Sequence, residues 1–253
     1  MAWRKTYDGA GPQRVNKWLA GEGVCSRREA EELIGKGLVS IDGERVDDPG
    51  RKILPGQTID VGAAGAKPKI SVVVNKPVGF VSAQPERDQI PAARLLTRAN
   101  LIGPPRDMPT KRTSLAPLGR LDQDSRGLLL LSEDGVLAKA VIGEESKLDK
   151  EYLVTVRGHI NDRKLALLRH GLQLDGRQLK PAKISLVEPL RLRFVLMEGR
   201  NRQIRRMCEL VELDVIDLLR VRIGPLELGG LAEGKWRPLT PEERDDLIRQ
   251  SKA

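Results

Sequence analysis

Three carboxylates lie close together in "GRLDQDSRGLLLLSEDG": Asp122, Asp124 and Glu133, set around Gly127 and a run of four leucines. Acids so placed can hold a cation, turn the chain or act on a substrate. Asp122, Asp124, Gly127 and Glu133 match positions 1, 3, 6 and 12 of an EF-hand calcium loop. Position five is Arg126, however, a positive charge where the cation must sit. Pro117 and Gly119 precede the loop where an EF-hand has a helix, so no metal is expected here. The run Asp-Gln-Asp-Ser-Arg-Gly also suits a polar turn that delivers the chain into a buried strand. A third use remains open: with Arg120 and Arg126 on either side, a carboxylate kept ionised among guanidiniums can attack an electron-poor carbon.

The surroundings of this loop are basic. The 253-residue chain carries a formal net charge of +9 and a pI near 9.7. Excess Lys and Arg favours a polyanion, because neutralising phosphates releases counterions. Hydrophobic residues make up 40%, enough for a folded core, but aromatics reach only 3%. That scarcity argues against an aromatic platform for single-stranded RNA. Cys25 and Cys208 belong to no CxxC pair, so neither a zinc site nor a disulfide framework is expected. A reducing cytoplasm is the expected compartment, with no signal peptide, no membrane span and a monomeric chain.

What must position the loop can be read from patterning. Ahead of the glycine-bearing stretch Val61–Lys69 lies a small module. Val15, Trp18 and Leu19 recur at helical spacing, and Ser26 with Glu29 forms a capping-box signature before a second helix. "LVSIDGERV" alternates around a turn at Asp42-Gly43, and "QTIDV" gives another short strand. Arg27 and Arg28 sit in the first turn of the second helix, where cations oppose the helix dipole. An external anion there would explain them, as would solvation of their charged heads. The stretch "QRVNKWLAGEGVCSRREAEELIGKGLVSIDGERV" resembles the S4 RNA-binding module, over residues 12–61. The resemblance implies an RNA backbone facing Arg14, Lys17, Arg27, Arg28 and Lys36.

Residues 62–69 read as a linker and 70–253 as a second domain. "ISVVVNKPVGFVS" reads as strand, turn and strand, and "PAARLL" as a short helix within a Pro- and Arg-rich region. "LLLLSEDG", "KEYLVTVRG" and "RLRFVLMEG" read as strands, "NDRKLALLRHGL" and "NRQIRRMCELVEL" as helices. The C-terminal stretch holds strands and a last helix. Strands mixed with helices without regular βαβ alternation predict α+β, with a mixed, largely antiparallel sheet.

"GRLDQDSRGLLLLSEDG", "KEYLVTV", "EGRNRQIRRMCE" and "RVRIGPLELGGLAEGKWRPLT" occur in that order. Together with the S4-like module they resemble the RsuA family of pseudouridine synthases, over residues 12–245. The resemblance implies isomerisation of uridine in ribosomal RNA on a flipped-out base, without cofactor or metal. The third motif leans towards large-subunit RNA. Asp122 matches the family nucleophile, Tyr152 the tyrosine beside the base, and Arg205 the basic partner of the carboxylate. Arg205 lies at the edge of the apolar face of Ile204, Met207, Cys208 and Val211, while Arg202 and Arg206 are expected to point away, towards phosphates. Asn201 and Gln203 of the same motif are assigned to RNA as well, and Arg120 is expected to fill the place of the extruded base. A non-catalytic RNA-binding or ribosome assembly factor and a metal-dependent nuclease are the competing readings.

Overall fold

The computed structural model describes residues 3–62, 69–83, 85–86, 88–104, 108–110 and 113–252. The chain divides into two compact units. One runs to Lys69 and takes in Asp134–Val136; the other comprises Ile70–Glu133 and Leu137 onward. Most of the expected linker, residues 63–68, falls outside the described residues.

In the first unit, β1 (Trp3–Thr6) is followed by α1 (Val15–Gly21), α2 (Arg27–Gly35), β2 (Val39–Ile41), β3 (Glu44–Arg45) and β4 (Thr58–Val61). The strands form one antiparallel sheet in the order β1-β4-β2-β3. Asp42 and Gly43, at φ 51° and 84°, make the tight turn between β2 and β3. The capping box of α2 is complete: Ser26 accepts from the Glu29 amide, and the Ser26 amide donates to Glu29 Oε2 at 2.8 Å. Val15, Trp18, Leu19, Ala30 and Ile34 pack on Ile41, Ile53 and Ile59. The unit also begins earlier than the motif suggests. β1 pairs with β4, Tyr7 is buried, and Trp3 and Tyr7 both meet Trp18 edge to face at 5.4 and 5.6 Å.

The second unit is built on a nine-stranded sheet. Its elements are β5 (Ser71–Lys76), β6 (Arg126–Ser132), α3 (Gly135–Ile142), β7 (Lys150–Arg157), α4 (Asp162–His170), β8 (Lys183–Glu188), β9 (Arg191–Leu196), α5 (Gln203–Glu209), β10 (Asp214–Ile223), β11 (Trp236–Pro238) and α6 (Pro241–Gln250). The strand order is β8-β9-β7-β10-β6-β5-β11, with Ala116–Pro117 beside β6 and Leu226–Glu227 beside β10. β6 and β10 run parallel; the other pairings of this sheet are antiparallel. The expected α+β class and mixed sheet are what the chain forms.

Side chains alternate across the sheet, and each half is covered by different elements. Leu165 and Leu168 of α4 and Ile204, Met207 and Cys208 of α5 pack on Val154, Phe194 and Leu218. Leu137 and Val141 of α3 and Leu247 of α6 cover Leu128 and Leu130, while Leu129 and Leu131 face Ala92, Leu95 and Trp236. All four leucines of β6 are thus in core, each contributing about 1.5–3 kcal/mol, and they anchor the acidic loop that precedes them.

Candidate active site

The acidic loop is gripped from several sides. Ser82 Oγ donates to the Leu121 carbonyl at 2.7 Å and accepts from the Leu121 amide at 2.9 Å. The Gly79 amide donates to the Gln123 carbonyl at 2.8 Å, and the Ser125 amide to that of Asp122 at 3.1 Å. From β10 the guanidinium of Arg220, only 1% exposed, donates to the carbonyls of Leu128 (2.7 Å), Arg120 (3.3 Å) and Gly119 (3.2 Å). Gly127 sits opposite Arg220 in the parallel register at φ 106°, and a Cβ there would lie 2.3 Å from the Arg220 carbonyl oxygen. Glycine alone lets the two strands close at this point. The acids of the loop are therefore set on a rigid frame.

A cleft of about 680 Å³ opens beside that frame, lined by Arg120 and Asp122 of the loop, Lys150 and Tyr152 of β7, Arg220 of β10, and the segment Glu198–Arg205. Tyr152 is the register partner of Arg220 and packs on the cores to either side.

The two acids nearest the cleft differ sharply. Asp124 accepts both guanidinium nitrogens of Arg202, at 3.1 and 2.9 Å, and lies 3.3 Å from Arg205 Nε. Burial pushes the Asp124 carboxyl up, but the Arg202 hydrogen bond and the charges of Arg205 and Arg202 outweigh it, so it sits below the usual value. Asp122 has Arg202 at 3.5 Å, and among the described residues its carboxylate accepts no hydrogen bond. One acid is occupied; the other faces the cleft with its lone pairs available.

This geometry corrects the expected pairing of Arg205 with Asp122. Arg205 donates instead to the Asp124 carbonyl (2.7 Å) and the Val215 carbonyl (3.2 Å), and the guanidinium close to Asp122 is that of Arg202. The helical wheel assumed a helix already running at Arg202. In fact Arg202 is the N-cap of α5, in the left-handed conformation at φ 46° and ψ 33°, which swings its side chain to the acids rather than away. Arg206 does turn away, but into an ion pair with Asp175 at 2.6 and 3.0 Å. Gln203 is 4% exposed: its Oε1 accepts from the Arg200 amide at 2.9 Å and its Nε2 reaches Glu198. It closes the turn into α5. Arg126 leaves the loop altogether, gripping Asp217 at 2.7 Å through two nitrogens. Glu133 lies beyond the far end of β6, roughly 20 Å from Asp122 at about 3.3 Å per residue, and accepts from the Ile70 amide. An ion shared by the two is excluded by that distance.

Arg120 and Asn201 are exposed on the rim of the cleft. In the first unit Arg14, Lys17, Arg27, Arg28 and Lys36 are all exposed, and none forms an ion pair among the described residues. The amino end of α2 already has its own carboxylate in Glu29, so Arg27 and Arg28 need no external anion to offset the dipole.

Sequence patterning missed three contributors. Arg220 reads as an ordinary polar residue of a strand, yet it is fully buried. Arg200 ties the loop before α5 to the hairpin at Gln173–Gln178, donating to the carbonyls of Leu174, Arg177 and Gln178 at 2.9–3.3 Å. Lys76 is 0% exposed, its ammonium donating to the Pro77 and Phe80 carbonyls at 2.9 and 2.8 Å. Burial drives the Lys76 pKa down to about 8, opposed by the charges of Asp122 and Asp124. The one advance signal was an isolated cation within each apolar or turn-forming run.

Comparison with known proteins adds independent findings. The family model described as RNA pseudouridylate synthase matches residues 70–210, and the S4 domain model matches 13–59. Over 93% of its length the chain is 34% identical to the dual-specificity RNA pseudouridine synthase RluF of Escherichia coli K12, covering 78% of that protein. It is 33% identical to the putative ribosomal large subunit pseudouridine synthase SVR1 of Arabidopsis thaliana, with 92% of this chain and 60% of that protein covered. A crystal structure of a pseudouridylate synthase superposes with a TM-score of 0.63 at 27% identity, spanning 92% of this chain and 99% of the other.

Proposed function

Because the chain belongs to the RsuA family of RNA pseudouridine synthases, we propose that it isomerises uridine in ribosomal RNA, of the large subunit, with Asp122 as nucleophile. A uridine in folded RNA hides its glycosidic bond, so the nucleotide must leave the stack, at a cost of a few kcal/mol. Inside the cleft Asp122 bonds to C1′ as the N1–C1′ bond breaks, the uracil turns, and C5 displaces the carboxylate from C1′ while the C5 proton departs and N1 gains one. Product and substrate have the same atoms, so no oxidant or second substrate is consumed.

The observation that carries the assignment is the contrast between the two acids. Asp124 spends its charge on Arg202 and Arg205, whereas Asp122, with Arg202 at 3.5 Å, presents to the cleft a carboxylate that accepts no hydrogen bond among the described residues. Tyr152, on the cleft wall, suits stacking on the loosened ring and movement of the C5 proton. Arg205 then acts through Asp124, fixing the loop, and Arg202 supplies the nearby positive charge. Arg120 and Asn201 at the rim, with the basic face of the first unit, suit the RNA backbone, and Arg120 suits the vacated stack. Large-subunit RNA is supported by the "EGRNRQIRRMCE" motif and by the likeness to the plant protein SVR1, a putative ribosomal large subunit pseudouridine synthase.

RNA labelled with tritium at uridine C5 tests the reaction. Incubated in chelator, the protein should release label without cutting the chain, and Asp122→Asn should stop release while RNA binding persists. Magnesium-dependent cleavage instead would make it a nuclease. Binding without release would make it an assembly factor. Mapping modified uridines with and without this gene identifies the target; small-subunit sites alone would refute the large-subunit assignment.

A further inference from the structure

The cations lining the cleft fall into two groups. Arg200, Arg202, Arg205 and Arg220 are each committed to carboxylates or carbonyls. Arg120, Lys150 and Lys180 have no ion pair and no side-chain hydrogen bond among the described residues. Arg120 and Lys180 are exposed, and water satisfies them. Lys150 is only partly exposed.

The acids around Lys150 are already engaged. Asp149, its chain neighbour, is held by Arg222 at 2.6 and 3.0 Å. Glu151 is held by Arg222 and Arg193 at 3.0 and 2.9 Å. Glu198, across the cleft, accepts from the Lys180 amide and Gln203 and pairs with Arg200. Glu144 is exposed at the rim. On the β10 side the facing group is another cation, Arg220. Burial and the Arg220 charge lower the Lys150 pKa, with Asp149 opposing them. A half-desolvated ammonium beside a second cation is costly unless a ligand brings negative charge to it.

Depth decides which part of an RNA substrate that is. Arg120 and Asn201 at the exposed rim suit the backbone, while Lys150 shares β7 with Tyr152, two residues on, and strand residues so spaced face the same side. We infer that Lys150 is a further catalytic residue, its ammonium donating to a carbonyl oxygen of the flipped uracil and stabilising the charge left on the ring when it detaches from the sugar. The electron pair of the N1–C1′ bond passes to N1 and spreads over O2 and O4. It is used again when C5 bonds to C1′ and the C5 proton leaves. This inference rests on the isomerase reading above.

The test measures single-turnover conversion of RNA containing uridine or 5-fluorouridine at the target, with the wild type, Lys150→Met and Lys150→Gln, by digestion to nucleosides. Fluorine at C5 withdraws electrons and stabilises the ring anion by itself. Lys150→Met should slow uridine conversion about 100-fold, the size typical of losing one group aimed at developing charge, with RNA affinity and its salt dependence unchanged. On 5-fluorouridine the deficit in substrate consumption should shrink severalfold. Lys150→Gln, which keeps a donor without charge, should fall between, and stands in if the methionine variant does not fold. Equal deficits on both substrates would overturn the inference. So would weaker binding with a shallower salt slope, which would make Lys150 a phosphate contact. A wild type that forms no pseudouridine would instead sink the parent reading, and a wild type that does, beside unaffected Lys150 variants, would sink this one alone.

Discussion

Replacing Arg220 by methionine keeps most of the side-chain volume and removes the guanidinium that spans β10 and the acidic loop. Three carbonyls lose their donor: Leu128 in β6, and Gly119 and Arg120 ahead of Asp122. Hydrogen bonds from a charged donor contribute about 1.5–3 kcal/mol each, and the two longer ones here count at the low end. Together they amount to about 4.5–6 kcal/mol, within the 5–15 kcal/mol of a typical domain, so the variant should fold with a reduced urea midpoint. The loop then loses its fixed distance from the cleft, and a displacement near 1 Å costs about 100-fold in rate. The predicted outcome is a large fall in single-turnover rate with RNA affinity unchanged, because Arg220 is 1% exposed. Arg220→Lys, able to reach fewer of the carbonyls, should lie between. A methionine variant with wild-type midpoint and rate would refute the view that this residue holds the loop.

Lys76 offers a pH test of burial. It titrates at about 8 in the folded chain against 10.5 for the ordinary side chain. Between those values the folded chain has released the proton that the unfolded chain retains, so stability rises with pH, by about 3 kcal/mol over the window. Denaturation of the wild type and Lys76→Met from pH 7 to 10.5 should show that rise only in the wild type; parallel curves would contradict it. Arg27→Ala with Arg28→Ala should weaken RNA binding and reduce the salt slope by about 1.5–2, and an unchanged slope would remove α2 from the interface. Burial raises the Cys25 thiol to about 11 and the Cys208 thiol to about 12. Both should resist iodoacetamide at pH 8 until the chain unfolds, and rapid labelling of the native protein would contradict their burial.

Much of the fold is legible because its signals are local. The Ser26–Glu29 capping box, the Asp42-Gly43 turn and the alternation of β7 and β9 each depend on a few neighbouring residues. α3 escaped because "GVLAKAVI" opens on glycine and is apolar nearly all round, leaving no polar face to define a helical period. β8 escaped because an edge strand exposing Leu186 and Val187 shows little alternation of burial. β1 escaped because its place in the sheet comes from pairing with β4, more than fifty residues on. In the site, Asp122 and Tyr152 both line the cleft. Arg202 and Arg205 exchanged parts because a single left-handed residue set the start of α5, which no helical wheel registers. Arg220 was invisible because its partners are main-chain carbonyls far along the chain, which no side-chain pattern displays.

The central claim is that chemistry belongs to the carboxylate at 122 and not to its neighbour at 124. Single-turnover conversion of the same uridine RNA by Asp122→Asn and Asp124→Asn compares them most directly. The account predicts no detectable pseudouridine from Asp122→Asn, and a slowed but measurable rate from Asp124→Asn, which disturbs Arg202 and Arg205 but leaves the nucleophile. Turnover by Asp122→Asn, with Asp124→Asn inert though folded, would contradict it.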